Sequence, residues 1–210
     1  YFFLDAIRIL RSHPSWSSEL ELGFKLWLHE YLDWLQKSPQ GIAESKSKNN
    51  HGTCYDLQLA SIAVFLDDLK LVNSIFENLD TRLREQFSED GFQVLEAERT
   101  QTQHYFAFNL QNWLNLATLF EAVGLDLWEL STRVGRSLVR ALEYFLSFMD
   151  RPWQLPQIDV FAEERFLPFV LEFNTRQTHS SAYVAIPLKL NPLVYPHYGI
   201  RPFWFMNRSV

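Results

Sequence analysis

The chain has 210 residues with 47% hydrophobic and 16% aromatic content, enough for one buried core and a single domain. Its formal net charge of -6, from 19 basic and 25 acidic residues, argues against nucleic-acid binding through a generally basic surface. The single cysteine, Cys54, rules out an internal disulfide, and no apolar run is long enough to span a bilayer, so no membrane partner is expected.

The opening "YFFLDAIRILR" predicts an amphipathic helix with Phe2, Phe3, Ala6, Ile9 and Leu10 on one face. No charged segment precedes it, so it reads as part of a folded domain and not as a signal peptide. After the breaker "SHPSW", Leu20, Phe24, Trp27, Leu28, Tyr31 and Leu35 recur at spacings of three and four, predicting a second helix that ends before "SPQG". Residues 41–52 are polar and read as a loop. From Thr53 the helical period resumes through Leu57, Ala60, Val64 and Phe65, and a further helix carries Leu71, Ile75, Leu79 and Leu83 in register. A turn at Asp90-Gly91 precedes a short extended piece containing Phe92 and Val94. A long helix is predicted over 102–123, stopped by Gly124. Another covers 127–149 and stops at "DRPW", and a last one over 157–173 precedes a proline-rich tail. The pattern is all-α, a series of antiparallel helix pairs of unequal length that suits an α/α toroid or an irregular bundle.

Two stretches carry chemistry. In "KNNHGTCYDLQ", residues 48 to 58, Asn49, Asn50 and His51 crowd a predicted helix start where one capping side chain would suffice. Neutral donors gathered at the positive end of a helix suit an anion, and His can also move a proton. In "EAERTQTQHYFAFNLQNW", Arg99 and Tyr105 stand six residues apart across a loop-to-helix junction. A phenol, with a reference pKa of about 10, is a poor base alone. A neighbouring guanidinium would favour the phenolate. His104 is expected on a different helix face from Tyr105, without a role.

Other features read as structure. "HEYLD" at His29 departs from a zinc-binding HExxH because Asp33 holds the fifth position, and no metal or other cofactor is expected. Cys54 reads as a small core residue. Asp67-Asp68 and Glu163-Glu164 read as solvated. Glu96 and Glu98 would share a face in an extended segment, and one of them with Asp56 could serve as a glycosidase acid/base pair. Trp27, Trp34 and Trp113 fit helix core stripes, while Trp153 and Trp204 fall in loops where they could stack on sugars. Asn207-Arg208-Ser209 forms a glycosylation sequon.

Together, "WLHEYLDWLQKSPQGIAESKSKNNHGTCYDLQLASIAVF" and "DGFQVLEAERTQTQHYFAFNLQNWLNLATLFEAVGLDLW" resemble the alginate lyase domain family of polysaccharide lyases. The resemblance rests on NNHG-x-x-YD-x-Q, followed by E-x-x-R-T and a Tyr six residues after the Arg, and it covers most of residues 27 to 128. It implies one incomplete α/α toroid domain over residues 1–210, opening inside the family's domain without its N-terminal part. It also implies metal-free β-elimination on an anionic uronate polysaccharide or oligosaccharide, typically β-D-mannuronate in alginate, and a secreted or periplasmic location. Carried over residue by residue, Tyr105 matches the catalytic tyrosine, and Asn50 and His51, with Arg99 helping, match the groups that neutralise the substrate carboxylate. Asn49, Lys48, Tyr55 and Gln58, from the same string, are expected to bind substrate. Cys54 departs from the family pattern, which often has an aromatic residue there. The alternatives are a lyase for glucuronate polymers, a glycosidase on the same toroid, and a non-catalytic carbohydrate-binding remnant.

Overall fold

The computed structural model describes residues 2–176. Helix α1 (Phe2–Leu10) leads to α2 (Ser18–Lys37), whose start is fixed by the Ser17 hydroxyl accepting from the Leu20 amide. Ser38 then does double duty. Its amide donates to the Trp34 carbonyl and closes α2, while its hydroxyl accepts from the Gly41 amide and opens α3 (Pro39–Ser45), with Pro39 in the first turn. Of the stretch 41–52 expected as a loop, only residues 46–49 lie between helices, because serine and proline launch a helix as readily as they stop one.

Helix α4 (Asn50–Phe65) forms a hairpin with α5 (Leu69–Gln86), whose first turn is capped by the Asp68 carboxylate accepting from Leu71. A single 3-10 turn, Glu96–Glu98, stands before the long α6 (Thr102–Glu121). The predicted helix over 127–149 is two helices, α7 (Leu127–Arg133) and α8 (Leu138–Leu146). Gly135, at a φ of 75°, takes the left-handed conformation that breaks the run. The predicted helix over 157–173 shortens to a 3-10 turn, Glu163–Phe166, and α9 (Leu167–Arg176). The segment before it instead lies extended against the start of α6, where Gln101 and Gln157 form an isolated bridge. No strand forms among the described residues, and none of their helices is long and apolar enough to cross a membrane.

The centre of the fold is the contact of α4 with α6, with α5 and α3 packed against α4 and α7 and α8 against α6. Leu57, Ala60, Phe106, Leu110, Trp113, Leu116 and Phe120 are wholly buried there. Each large apolar side chain contributes about 1.5–3 kcal/mol by leaving water. A buried polar seam runs between them. The Gln86 side-chain oxygen accepts from Asn109 Nδ2 (2.9 Å) and Trp113 Nε1 (2.8 Å), and its Nε2 donates to the Lys48 and Asn49 carbonyls (2.8 and 3.0 Å). This amide thereby ties α5 and α6 to the backbone that enters α4.

Some expected faces are turned. On α1 the buried apolar residue among those described is Leu4, beside Asp5, while Phe3, Ile9 and Leu10 are exposed. On α2 the buried row is Leu28, Leu32 and Leu35. Trp27 and Trp34, expected in the core, are each 48% exposed and stack with the Tyr31 ring, at centroid distances of 5.6 and 5.9 Å. Trp113 is core as expected. Trp153 is packed too, edge-on to Phe106 and Phe148, with its Nε1 donating to Thr102 Oγ1 at 2.7 Å. Trp204, the sequon and the proline-rich tail lie outside the described residues.

Candidate active site

The short connection into α4 is shaped by a guanidinium. Arg82 of α5 pairs with Asp56 and donates to the carbonyls of Ser47 (2.6 Å) and Ser45 (3.2 Å). It occupies the space beside Gly52, where an added Cβ would lie 1.9 Å from its Nη1 and 2.0 Å from the Ser47 carbonyl oxygen. Only glycine fits at that point of the NNHG string. Burial pushes the Asp56 carboxyl up to about 6 in spite of the Arg82 charge. Asp56 is thus committed to a structural pair with Arg82, which takes it out of the carboxylate pair with Glu96 or Glu98 considered for glycoside hydrolysis.

Over this scaffold a cleft of about 580 Å³ opens between α2, α3, α4 and α6. Asn50, His51, Cys54, Tyr55 and Gln58 line it from α4, and His104, Tyr105 and Phe108 from α6. Tyr31 and Trp34 of α2 and Glu44 of α3 complete its walls. Asn50, His51 and Tyr105, singled out from two separate segments, therefore share one cavity.

The individual contacts refine the picture. Asn50 is 3% exposed, and both its backbone N–H and its Nδ2 donate to the Glu96 carboxylate at 2.7 Å. His51 is exposed, with Nδ1 3.0 Å from Glu44 Oε2. A hydrogen on Nδ1, directed at that carboxylate, leaves Nε2 as the ring's acceptor. The Arg99 guanidinium lies 4.0 Å from the centroid of the Tyr105 ring, over its face. Arg99 is half-buried and is not among the residues lining the cleft. Burial, reinforced by the Arg165 charge, holds the His104 imidazole below its usual range. His104 was expected to point away from Tyr105. Both reach the cleft because they sit in the first turn of α6, where neighbouring side chains flank the helix end.

Among the expected substrate-binding residues, Tyr55 and Gln58 are in the wall. Gln58 Nε2 donates to the Tyr31 hydroxyl at 2.7 Å, and the Tyr55 hydroxyl donates to the Leu35 carbonyl at 3.3 Å. Asn49 is the N-cap of α4, its side-chain oxygen accepting from the His51 amide, and the Lys48 ammonium pairs with Glu85 at 2.9 Å. Neither lines the cleft. Cys54 is partly buried, with Asn112 Nδ2 donating to its sulfur at 2.9 Å. Glu44 and Glu96 are partners that the sequence reading missed. Glu44 lay in a supposed loop, and the Glu96 contact spans 46 residues, a separation no periodicity reports. His104 was flagged only by its place beside Tyr105.

No curated protein sequence matches the chain at a significant level. Among solved structures, an alginate lyase from Bacteroides ovatus is similar over 83% of this chain, with 26% identity and a TM-score of 0.77. This chain spans 48% of that one. The all-α fold here is accordingly of the α/α toroid type. The sequence model of alginate lyases matches residues 2–154, a span that includes every helix lining the cleft, and the chain belongs to the alginate lyase family.

Proposed function

We propose that this chain carries a polysaccharide lyase domain that cleaves a β-linked uronate polymer, mannuronate in alginate, by β-elimination. The observation that carries the reading is the meeting of Asn50, His51 and Tyr105 in one cleft, with a cation on the ring of the tyrosine.

The chemistry needs those groups. A uronate bears its acidic C5–H beside a carboxylate, so deprotonation adds a second negative charge next to the first. Donors set around the carboxylate make it behave like a neutral acid and stabilise the enolate-like intermediate. The cleft wall contains no Lys or Arg among the described residues, so this task falls to the Asn50 amide and to His51, whose ring is held by Glu44. Arg99 contributes from its place on the Tyr105 ring. Tyr105 takes the C5 proton. The electron pair then forms the C4=C5 double bond, the C4–O bond breaks, and the proton is delivered to the departing oxygen. In mannuronate the C5 hydrogen and the C4 oxygen lie on one face, so a single phenol can do both. In guluronate they lie on opposite faces, and a second group, His51, would be required.

The rival glycosidase needs two carboxylates about the scissile bond. Glu44 is the one carboxylate in the wall among the described residues, which favours elimination. A secreted or periplasmic location goes with a polymeric uronate substrate. Incubation with polymannuronate, polyguluronate and glucuronan, following the ultraviolet absorbance of the unsaturated product, tests reaction and substrate together. The reading requires absorbance to rise fastest with polymannuronate. Saturated products would indicate hydrolysis, and oligouronate binding without turnover would indicate a binding remnant.

A further inference from the structure

Glu96 is the least exposed carboxylate among the described residues, 1% exposed, and it lies outside the cleft wall. It therefore cannot touch a substrate. Its two oxygens are instead divided between two donors of one residue, the backbone N–H and the side-chain Nδ2 of Asn50, each at 2.7 Å. Glu96 also sits in the 3-10 turn that leads to Arg99 and Tyr105, whereas Asn50 opens the helix that carries His51. This contact fastens together the two segments that supply the site.

A helix start needs an acceptor for its free amides, and one oxygen of Glu96 serves that need. The second bond has no such explanation. A primary amide can turn over and present its oxygen in place of its nitrogen at almost no cost. An ionised carboxylate accepts only, so Glu96 holds Nδ2 on its own side and leaves the other Nδ2 hydrogen as the free donor. Without that constraint the amide could present Oδ1, an acceptor, toward an anionic sugar. Burial raises the Glu96 pKa, and the hydrogen bonds from Asn50 with the charges of Arg99 and His51 oppose that rise. The geometry supplies the acceptor role, since each carboxylate oxygen takes one Asn50 donor at 2.7 Å.

We propose that Glu96 is a positioning residue that locks the Asn50 amide with an N–H toward the substrate carboxylate and keeps its oxygen away from it. The inference rests on the uronate lyase reading for its catalytic consequence, though not for the hydrogen bond itself.

The test combines the bond with its effect. In the 15N spectrum of the wild-type protein, one Asn50 Nδ2 proton should stand well downfield of ordinary side-chain amides and exchange slowly with solvent. In Glu96→Gln, whose side chain offers a single acceptor oxygen for the two Asn50 donors, that signal should return to the ordinary region while the backbone spectrum stays dispersed. An unshifted, fast-exchanging Asn50 amide in the wild type overturns the proposal, whether or not any variant folds. In turnover, Glu96→Gln should lower kcat on the order of a hundredfold, as expected for Asn50→Ala, with a smaller change in KM. The Asn50→Ala/Glu96→Gln double variant should fall within about twofold of Asn50→Ala. Losses that multiply in the double variant, or wild-type kcat in folded Glu96→Gln, overturn the positioning role. If the wild type cleaves no uronate polymer, the lyase reading fails on that result, and the Asn50 signal still decides the hydrogen bond.

Discussion

The Arg99 guanidinium lies over the face of the Tyr105 ring, 4.0 Å from its centroid. Such a cation–π contact is worth about 0.5–2 kcal/mol. Arg99→Met keeps the aliphatic stem and removes the charge. It should therefore slow turnover by roughly two- to thirtyfold. Steady-state kinetics on polymannuronate check this, and an unchanged kcat would detach Arg99 from the chemistry.

Glu44 fixes which nitrogen of His51 carries the hydrogen, through the 3.0 Å contact with Nδ1. Glu44→Gln keeps a side chain of the same shape but replaces the carboxylate that Nδ1 faces with an amide, which can meet either ring tautomer. By analogy with carboxylates that orient histidines at metal sites, kcat/KM should drop roughly tenfold or more. Both side chains are about half exposed, so the melting temperature should hardly move. Equal losses of activity and stability would make Glu44 a structural residue.

Arg82 neutralises Asp56 and holds the backbone before Asn50. Arg82→Ala strands a buried carboxylate and should cost about 3–5 kcal/mol near neutral pH. The pH dependence has a definite sign. The folded Asp56 carboxyl, pushed up to about 6 by burial, lies above the unfolded value of about 3.9. Its stabilising contribution is full below about pH 4 and is lost as pH rises through 6. The penalty of Arg82→Ala should accordingly shrink in acid, where Asp56 is neutral. Thermal melts of both proteins at pH 5 and pH 7.5 measure it, and a penalty independent of pH would contradict the pairing.

Cys54 lines the cleft, yet burial pushes its thiol up to about 12, the hydrogen bond from Asn112 opposing only in part. At pH 8 the native thiol should alkylate roughly a hundred- to a thousandfold more slowly than the unfolded one. Timed iodoacetamide labelling with and without urea checks this. Equal rates would mean an accessible thiolate.

How far the sequence reached can be seen in particular residues. Trp113, Leu57 and Leu79 could be placed in the core because their helices keep a strict period. That period could not say which side of α1 meets a neighbour, so Leu4, not Phe3 or Ile9, is the buried one. An unbroken apolar rhythm also hid the stop at Gly135, whose backbone conformation leaves no trace in hydropathy. At the site, Asn50, His51 and Tyr105 stood out because donors and a phenol crowd two short strings. Their partners Glu44 and Glu96 did not, since each pairing depends on how α3, α4 and the turn before α6 come together. Lys48 seemed poised for an anion by adjacency alone, and its ammonium is drawn to Glu85 on α5.

The most direct test of the account compares wild type with Tyr105→Phe on polymannuronate, following product absorbance beside far-ultraviolet circular dichroism. The variant loses only a hydroxyl, so its helical spectrum should match the wild type while the absorbance of unsaturated ends disappears. Full activity in a folded Tyr105→Phe protein would contradict the assignment of the phenol as the proton carrier.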